Sequence, residues 1–427
     1  MKHENYSLLD YLLNHSEYDK SRVDLLRYEL DQRVYYYGQQ FKNPLEGRTK
    51  RKSSVIHQVK SIVKKVLSIY LKKTRVTNGK RIVSNSYFSV NSELSKLGFD
   101  VYQPIHSGFL SADKLEDFGL SREYKKVNNF IENGTFSELL SKEFSQLLDN
   151  YRVYLLKYYS DNKVSALIVP NDIAFFELLN IQIFKELKRP SFIFLHGLPG
   201  RYNIYDDNQT DYIIVWGDKI KEHYVNVGFK PEKIIVSGHP YYKNTPPMVL
   251  RNNLENIVVL TKSMPGNQWR DEVRMADRGN LISYLYSIEN VLKSIGVKKV
   301  LLRVHPSENI EWYYQFVDRS FFKPDKLDLK TTLCNATIII GPTSSVFLES
   351  IYYGVNYLVY EPSFNNIDFF NYELVPPFDG SNKKVPVAKD EDTLKQMIVE
   401  KVLVDSSVFF EYVNPKFDMS FMKNILN

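Results

Sequence analysis

Three features of the chain predict an α/β fold made of two Rossmann-like domains facing a cleft, with a helical N-terminal extension. A length of 427 residues exceeds what one ordinary hydrophobic core organises, so two domains are expected. From Lys80 onward, short apolar runs bounded by turn residues alternate with stretches of helical period, as parallel strands covered on both faces do. The Pro- and Asn-rich stretch Tyr241–Asn256 interrupts that alternation and reads as a linker between two alternating units. The expected division is a helical basic extension over 1–79, a first domain over 80–243 and a second over 244–427.

The extension opens with helical stretches, YSLLDYLLNH and SRVDLLRYELDQRVYYY, that end near Asn43-Pro44. Between Gly47 and Val90 there is no Asp or Glu, while twelve Lys and Arg fall there. Val55, Val59, Ile62, Val63, Val66 and Tyr70 recur within that block on one helical face. A basic amphipathic helix over 48–75 suits an anionic membrane surface. The alternative is a helix docked on its own domain with a solvated basic face. Nucleic acid is not an expected partner, because no binding motif and no basic–aromatic interleaving occur.

In the first domain, the strand RIVSNSY leads to the helix SVNSELSKLG, then DVYQPIHSG, then a mostly helical stretch to residue 163. SALIVPND, PSFIFLHG, TDYIIVWGD and KIIVSGHP read as further strands, with helices IAFFELLNIQIFKELK and KIKEHYVNVG between them. In the second domain NIVVLTK, KKVLLR, ATIIIG and NYLVYEP are the strands, and EDTLKQMIVEKVL is a late helix. The C-terminal stretch is expected to cross back onto the first domain. Composition is that of a globular protein, with 43% apolar and 25% charged residues. The single cysteine, Cys334, excludes an internal disulfide and a cysteine-based metal cluster. MKHENYSLLD has no apolar signal region, and no apolar run approaches the ~18 residues of a membrane span. A cytoplasmic protein is expected, peripheral on the inner membrane face if the basic helix binds there.

Chemistry is expected at the carboxyl ends of the strands, where an open parallel sheet collects ligands. Arg303, His305 and Pro306 follow one strand of the second domain, and Gly341 to Ser345 follow another. An imidazole beside a guanidinium, with the hydroxyls of Thr343, Ser344 and Ser345 opposite, makes a phosphate cradle. The alternatives are a loop-capping histidine and an ordinary serine N-cap. Glu349 lies one turn into the following helix, where the macrodipole favours a carboxylate in any case. Lys262 and Ser263 end the first strand of this domain, where a lysine meets a diphosphate or is simply solvated. In the first domain, His196 precedes a Gly/Pro turn and Asp172 ends a neighbouring strand. Gly238 and His239 end that domain's last strand, as a hinge turn or as a contact to a bound donor.

The order HG-x-P, then WGD with a downstream G-x-P, then R-x-H-P, then Ser-Ser with a following Glu resembles the GT-B glycosyltransferases of bacterial surface polysaccharides. By motif it is similar to enzymes with CMP- or CDP-activated donors: sialyl- and Kdo-transferases and teichoic-acid glycerophosphotransferases. The likeness runs from Ser165 to Pro362. It implies a donor-phosphate contact for His305, ribose binding by Glu349 and a general base at His196. Asp207, in an Asp206-Asp207-Asn208 run that lacks the family's following Gly, and Asp172 are the rival bases. The implied reaction moves a sugar, favoured as a CMP-linked acidic sugar, from a nucleotide-sugar donor to a lipid-linked or oligosaccharide acceptor. The acceptor would bind the first domain and the nucleotide the second. CDP-polyol phosphotransfer and UDP-N-acetylglucosamine 2-epimerisation are the alternatives. No cofactor is implied. The chain has no D-x-D after a strand and no Cys/His cluster of ligand spacing, so a metal-independent mechanism is expected.

Overall fold

The computed structural model describes residues 20–35, 80–102, 117–204, 208–242, 249–262, 276–306, 308–364, 367–368 and 374–426. Two six-stranded parallel sheets, flanked by helices, form two Rossmann-like units. The first contains β1 (Arg81–Ser84), β2 (Asp100–Tyr102), β3 (Val164–Val169), β4 (Ser191–Phe194), β5 (Tyr212–Val215) and β6 (Ile234–Val236). Its spatial order is β2-β1-β3-β4-β5-β6, with every pair parallel. The second contains β7 (Ile257–Leu260), β8 (Val300–Arg303), β9 (Phe322–Pro324), β10 (Ile338–Gly341), β11 (Asn356–Tyr360) and β14 (Val387–Ala388). A short antiparallel pair, β12 (Ser363–Phe364) and β13 (Ile367–Asp368), follows β11.

The second sheet runs β14-β11-β10-β7-β8-β9, again parallel throughout. Parallel neighbours cannot be joined by hairpins, so each step requires a crossover. The chain builds outward from β7 to β9, then returns to β10 on the other side of β7 and builds outward again. Strand order therefore reverses between β7 and β10, which opens a crevice at their carboxyl ends. β10 and β11 are buried along their whole length, as the unbroken apolar runs Ile338–Ile340 and Tyr357–Tyr360 require.

Both ends of the chain pack on the first unit. In the helix Lys20–Tyr35, expected as part of an N-terminal extension, Val23, Leu26 and Leu30 are fully buried in the first unit's core with Phe144, Tyr151 and Phe175. The Arg33 guanidinium fixes it there, donating to the carbonyls of Gly134 at 2.8 Å and Ile131 at 2.7 Å. The basic stretch 48–75 lies outside the described residues. At the other end, the tail carrying helices Val408–Tyr412 and Phe421–Leu426 lies against the first sheet. The Asn414 N–H donates to the Trp216 carbonyl at 2.7 Å, and the Asp418 N–H to the Ser237 carbonyl at 2.8 Å.

Gly238 shows how closely the tail approaches. Its φ is +79°, and an added Cβ would lie 2.7 Å from the carbonyl oxygens of both Asn414 and Lys416. Gly296 has a comparable φ of +85° with open space around it. Gly296→Ala should therefore cost about 1–2 kcal/mol from the backbone alone, and Gly238→Ala about 3 kcal/mol or more. Paired thermal melts of the two variants check this; equal losses would mean that the tail does not press on Gly238.

Candidate active site

The loops that follow β7, β8 and β10 are tied together at the crevice. Thr261, just past β7, accepts the His305 N–H at 3.0 Å and donates its own hydroxyl to buried Glu308 at 2.7 Å. That pair holds the His305-Pro306 turn against β7. Next along, the Lys262 ammonium donates to the Thr343 hydroxyl at 2.8 Å, spanning from β7 to β10. The Thr343 N–H in turn donates to the buried carboxylate of Glu361, just past β11, at 2.6 Å. Gly341 has a steric reason to be glycine: a Cβ there would fall on the Tyr357 hydroxyl, which donates to the Pro342 carbonyl at 2.6 Å.

The result is one cation, one imidazole and a hydroxyl-rich turn at the reversal of strand order. Burial and the Lys262 charge both hold the His305 imidazole below its ordinary pKa, so the ring is neutral at pH 7. A neutral ring offers one N–H donor and one acceptor. The Ser344 hydroxyl accepts the Val346 N–H at 3.2 Å and so caps the helix Val346–Tyr352. Ser345, at the N-cap position, makes no capping bond with its side chain. Its hydroxyl faces the first unit instead, where a Cβ on Gly197 would lie 3.5 Å away. This contact brings the His196-Gly197 turn, at the end of β4, opposite the β10 turn.

Arg303 is engaged within its own unit. Its Nη1 is engaged by Asp325 at 2.7 Å, the Leu327 carbonyl at 2.9 Å and the Thr332 hydroxyl at 3.3 Å, and the Asp325 side chain is 1% exposed. Lys262 takes the cationic place. Gly238 and His239 are packed against the tail and neighbouring aromatic rings. Gly238 is covered by the tail, and the His239 ring is stacked on Tyr242 at 4.3 Å with Phe88 and Trp216 edge-on at 4.4 and 4.6 Å. Burial there pushes its pKa down to about 3, and its Nε2 has no hydrogen-bond partner.

The candidate bases divide in the same way. His196 is exposed, with the ring of Tyr87 6.0 Å away. Asp172 is 5% exposed and its carboxylate accepts the Gln209 N–H at 2.7 Å, so it ties down the loop before β5. Asp207 and Ser263 lie outside the described residues. Sequence reasoning missed Thr261, Glu308, Glu361 and Asp325. Glu361 alone carried a visible signal, as a carboxylate closing the apolar run of β11. A cavity of about 630 Å³, a size that suits a small ligand, adjoins the site on the β8–β9 side. Arg303, Pro306, Tyr314, Pro324 and Leu327 are among the residues that line it. Among the described residues no group of three or more His, Cys, Asp or Glu could hold a metal ion, and no helix is long and apolar enough to cross a membrane.

With this geometry established, comparison with known proteins adds shape only. No protein-family model matches the chain, and no curated protein matches it. Among solved structures, the UDP-GlcNAc 2-epimerase of Neisseria meningitidis bound to UDP-GlcNAc is similar over 81% of this chain and 97% of its own, at 11% identity and a TM-score of 0.44. MurG of Acinetobacter baumannii is similar over 81% and 98%, at 10% identity and a TM-score of 0.41. HepE of Anabaena in complex with UDP-glucose is similar over 82% and 98%, at 10% identity and a TM-score of 0.40. Likeness at this level bears on no question of chemistry. The fold assignment rests on strand order and direction.

Glu349 gives the site a pH signature. Burial raises its carboxyl from 4.5 to about 7, with the Arg303 charge pulling the other way. The folded state therefore holds this proton more tightly than the unfolded chain does. Stability falls as pH rises from about 4.5 to about 7, and the full cost, on the order of 3 kcal/mol, is present above that. Glu349→Gln should thus raise the melting temperature at pH 8 and change it little at pH 5. A pH-independent difference would show that the carboxylate is not burdened by burial.

Proposed function

We propose that the protein is a glycosyltransferase that takes a sugar from a nucleotide donor held in the second unit and passes it to an acceptor held in the first. Residues 80–243 would form the acceptor domain and 244–427 the donor domain, with the tail returning to brace the first. The observation that carries this reading is the Lys262–Thr343 bridge at the reversal of strand order, with neutral His305 beside it and the His196-Gly197 turn opposite.

The donor's phosphate lies against Lys262, which supplies the positive charge. The imidazole N–H of His305 and the hydroxyls of Thr343 and Ser345 donate to its oxygens. These groups are fixed before the ligand arrives, and such preorganised donors are worth most where negative charge grows in the transition state. As the bond from the sugar's anomeric carbon to the phosphate oxygen breaks, that oxygen takes the electron pair. The acceptor hydroxyl bonds to the anomeric carbon and gives its proton to His196, an exposed imidazole. Asp172, buried and already hydrogen-bonded, is the poorer base. Glu349 binds the nucleotide's ribose hydroxyls best when ionised, so affinity should rise with pH through about 7.

A CMP-linked acidic sugar is the favoured donor, on the R-x-H-P and Ser-Ser motifs. A lipid-linked or glycan acceptor fits the basic stretch 48–75, which would hold the enzyme at an anionic membrane surface. Thermal melts with CMP, CDP, UDP and GDP and their sugar conjugates test the donor. One nucleotide class should raise the melting temperature, and Lys262→Ala should abolish most of the rise. His305→Ala should lower turnover by roughly 10²–10³. Ordinary kinetics in that variant would remove His305 from the site. Conversion of UDP-N-acetylglucosamine alone to its manno epimer would replace transfer with epimerisation.

A further inference from the structure

Tyr87 is 71% exposed, yet it is not loosely held. It follows β1, at the point where the first sheet reverses its own strand order between β1 and β3. The loop is pinned by the Asn85 N–H, which donates to the Ile168 carbonyl at 2.9 Å, and by the Ser86 hydroxyl, which donates to the Phe88 carbonyl at 2.6 Å. Phe88 then braces the Tyr87 ring edge-on at 5.3 Å, and is itself wedged against His239, Trp216 and Tyr241. The ring therefore presents most of its apolar surface to solvent from a loop with a fixed backbone. Its position supplies a reason. The ring lies 6.0 Å from the exposed His196 ring, on the side of the crevice that faces Ser345.

We propose that Tyr87 is the stacking platform for a pyranose ring of the acceptor. The C–H face of a sugar is apolar and flat enough to cover an aromatic ring, while its hydroxyls project sideways. A sugar seated on Tyr87 would direct a hydroxyl at His196, one sugar-ring's width away. A polyol or an acyl chain has no such face and gains little from a single rigid ring. The occupant is therefore a glycan, and this inference rests on the transferase reading given above. Tyr87 is a specificity-determining residue here, with no part in proton transfer.

The test is binding of labelled full-length protein to an array of hexose and N-acetylhexosamine oligosaccharides, run beside nucleotide thermal melts. Wild-type protein should retain a subset of the glycans. Tyr87→Ala should weaken that retention tenfold or more, and Tyr87→Phe should stay within about threefold, because stacking needs the ring and not the hydroxyl. Both variants should melt as wild type does and keep any nucleotide-induced rise. Retention unchanged in Tyr87→Ala, or no glycan retained by the wild type, overturns the platform. Glycan retention that depends on Tyr87 with no response to any nucleotide would uphold the platform and overturn the donor reading instead.

Discussion

A lysine stretched between two neighbouring strand ends holds the second unit's active edge together. β7 and β10 pair in register, but the chain leaves them in opposite directions across the sheet, and their loops have no backbone reason to stay close. The Lys262–Thr343 hydrogen bond closes that gap, and the Glu361 carboxylate behind Thr343 keeps the acceptor turn from drifting. The same ammonium lowers the proton affinity of His305. Charge, hydroxyls and a neutral imidazole therefore form one electrostatic unit, fixed by groups that are themselves buried.

The two units are joined by more than a linker. Tyr242, at the end of the first, packs on Tyr352 of the second at 4.8 Å and on Phe409 of the returning tail at 5.4 Å. His239 stacks on the other side of Tyr242 at 4.3 Å. Tyr242, Tyr352 and Phe409 belong to one contiguous apolar cluster with residues of both sheets. The absence of a hydrogen bond at His239 Nε2 is consistent with a ring retained for shape, since burial alone keeps it neutral at any physiological pH.

Much of this arrangement was legible in the residues. The apolar runs of β10 and β11, the Gly-Pro turn and the His-Pro turn each carry local chemistry that forces strand, stop and loop, and all were placed correctly along the chain. What escaped depends on partners distant in sequence. Arg303 looks like a phosphate ligand until Asp325, beyond β9, comes beneath it as a nearly dry partner. His239 looks like a ligand contact until Phe88, from the first loop of the sheet, closes over it. Lys262 read equally as a diphosphate contact or a solvated lysine, because its bond to Thr343 spans two strands that no local pattern brings together. The helix Lys20–Tyr35 read as part of an N-terminal extension, and Phe144, Tyr151 and Phe175, which bury its Val23, Leu26 and Leu30, come from more than a hundred positions further along the chain.

The most direct test of the phosphate cradle is the imidazole spectrum of His305. In uniformly ¹⁵N-labelled protein, saturating CMP, or whichever nucleotide raises the melting temperature, should shift the His305 ring resonances and raise its pKa, because a bound anion offsets the Lys262 charge. His223, on the helix Asp218–Asn226 of the other unit, should titrate unchanged. If a nucleotide raises the melting temperature while the His305 resonances and titration stay as in the free protein, phosphate does not bind between Lys262 and His305, and the site assigned to that crevice is wrong.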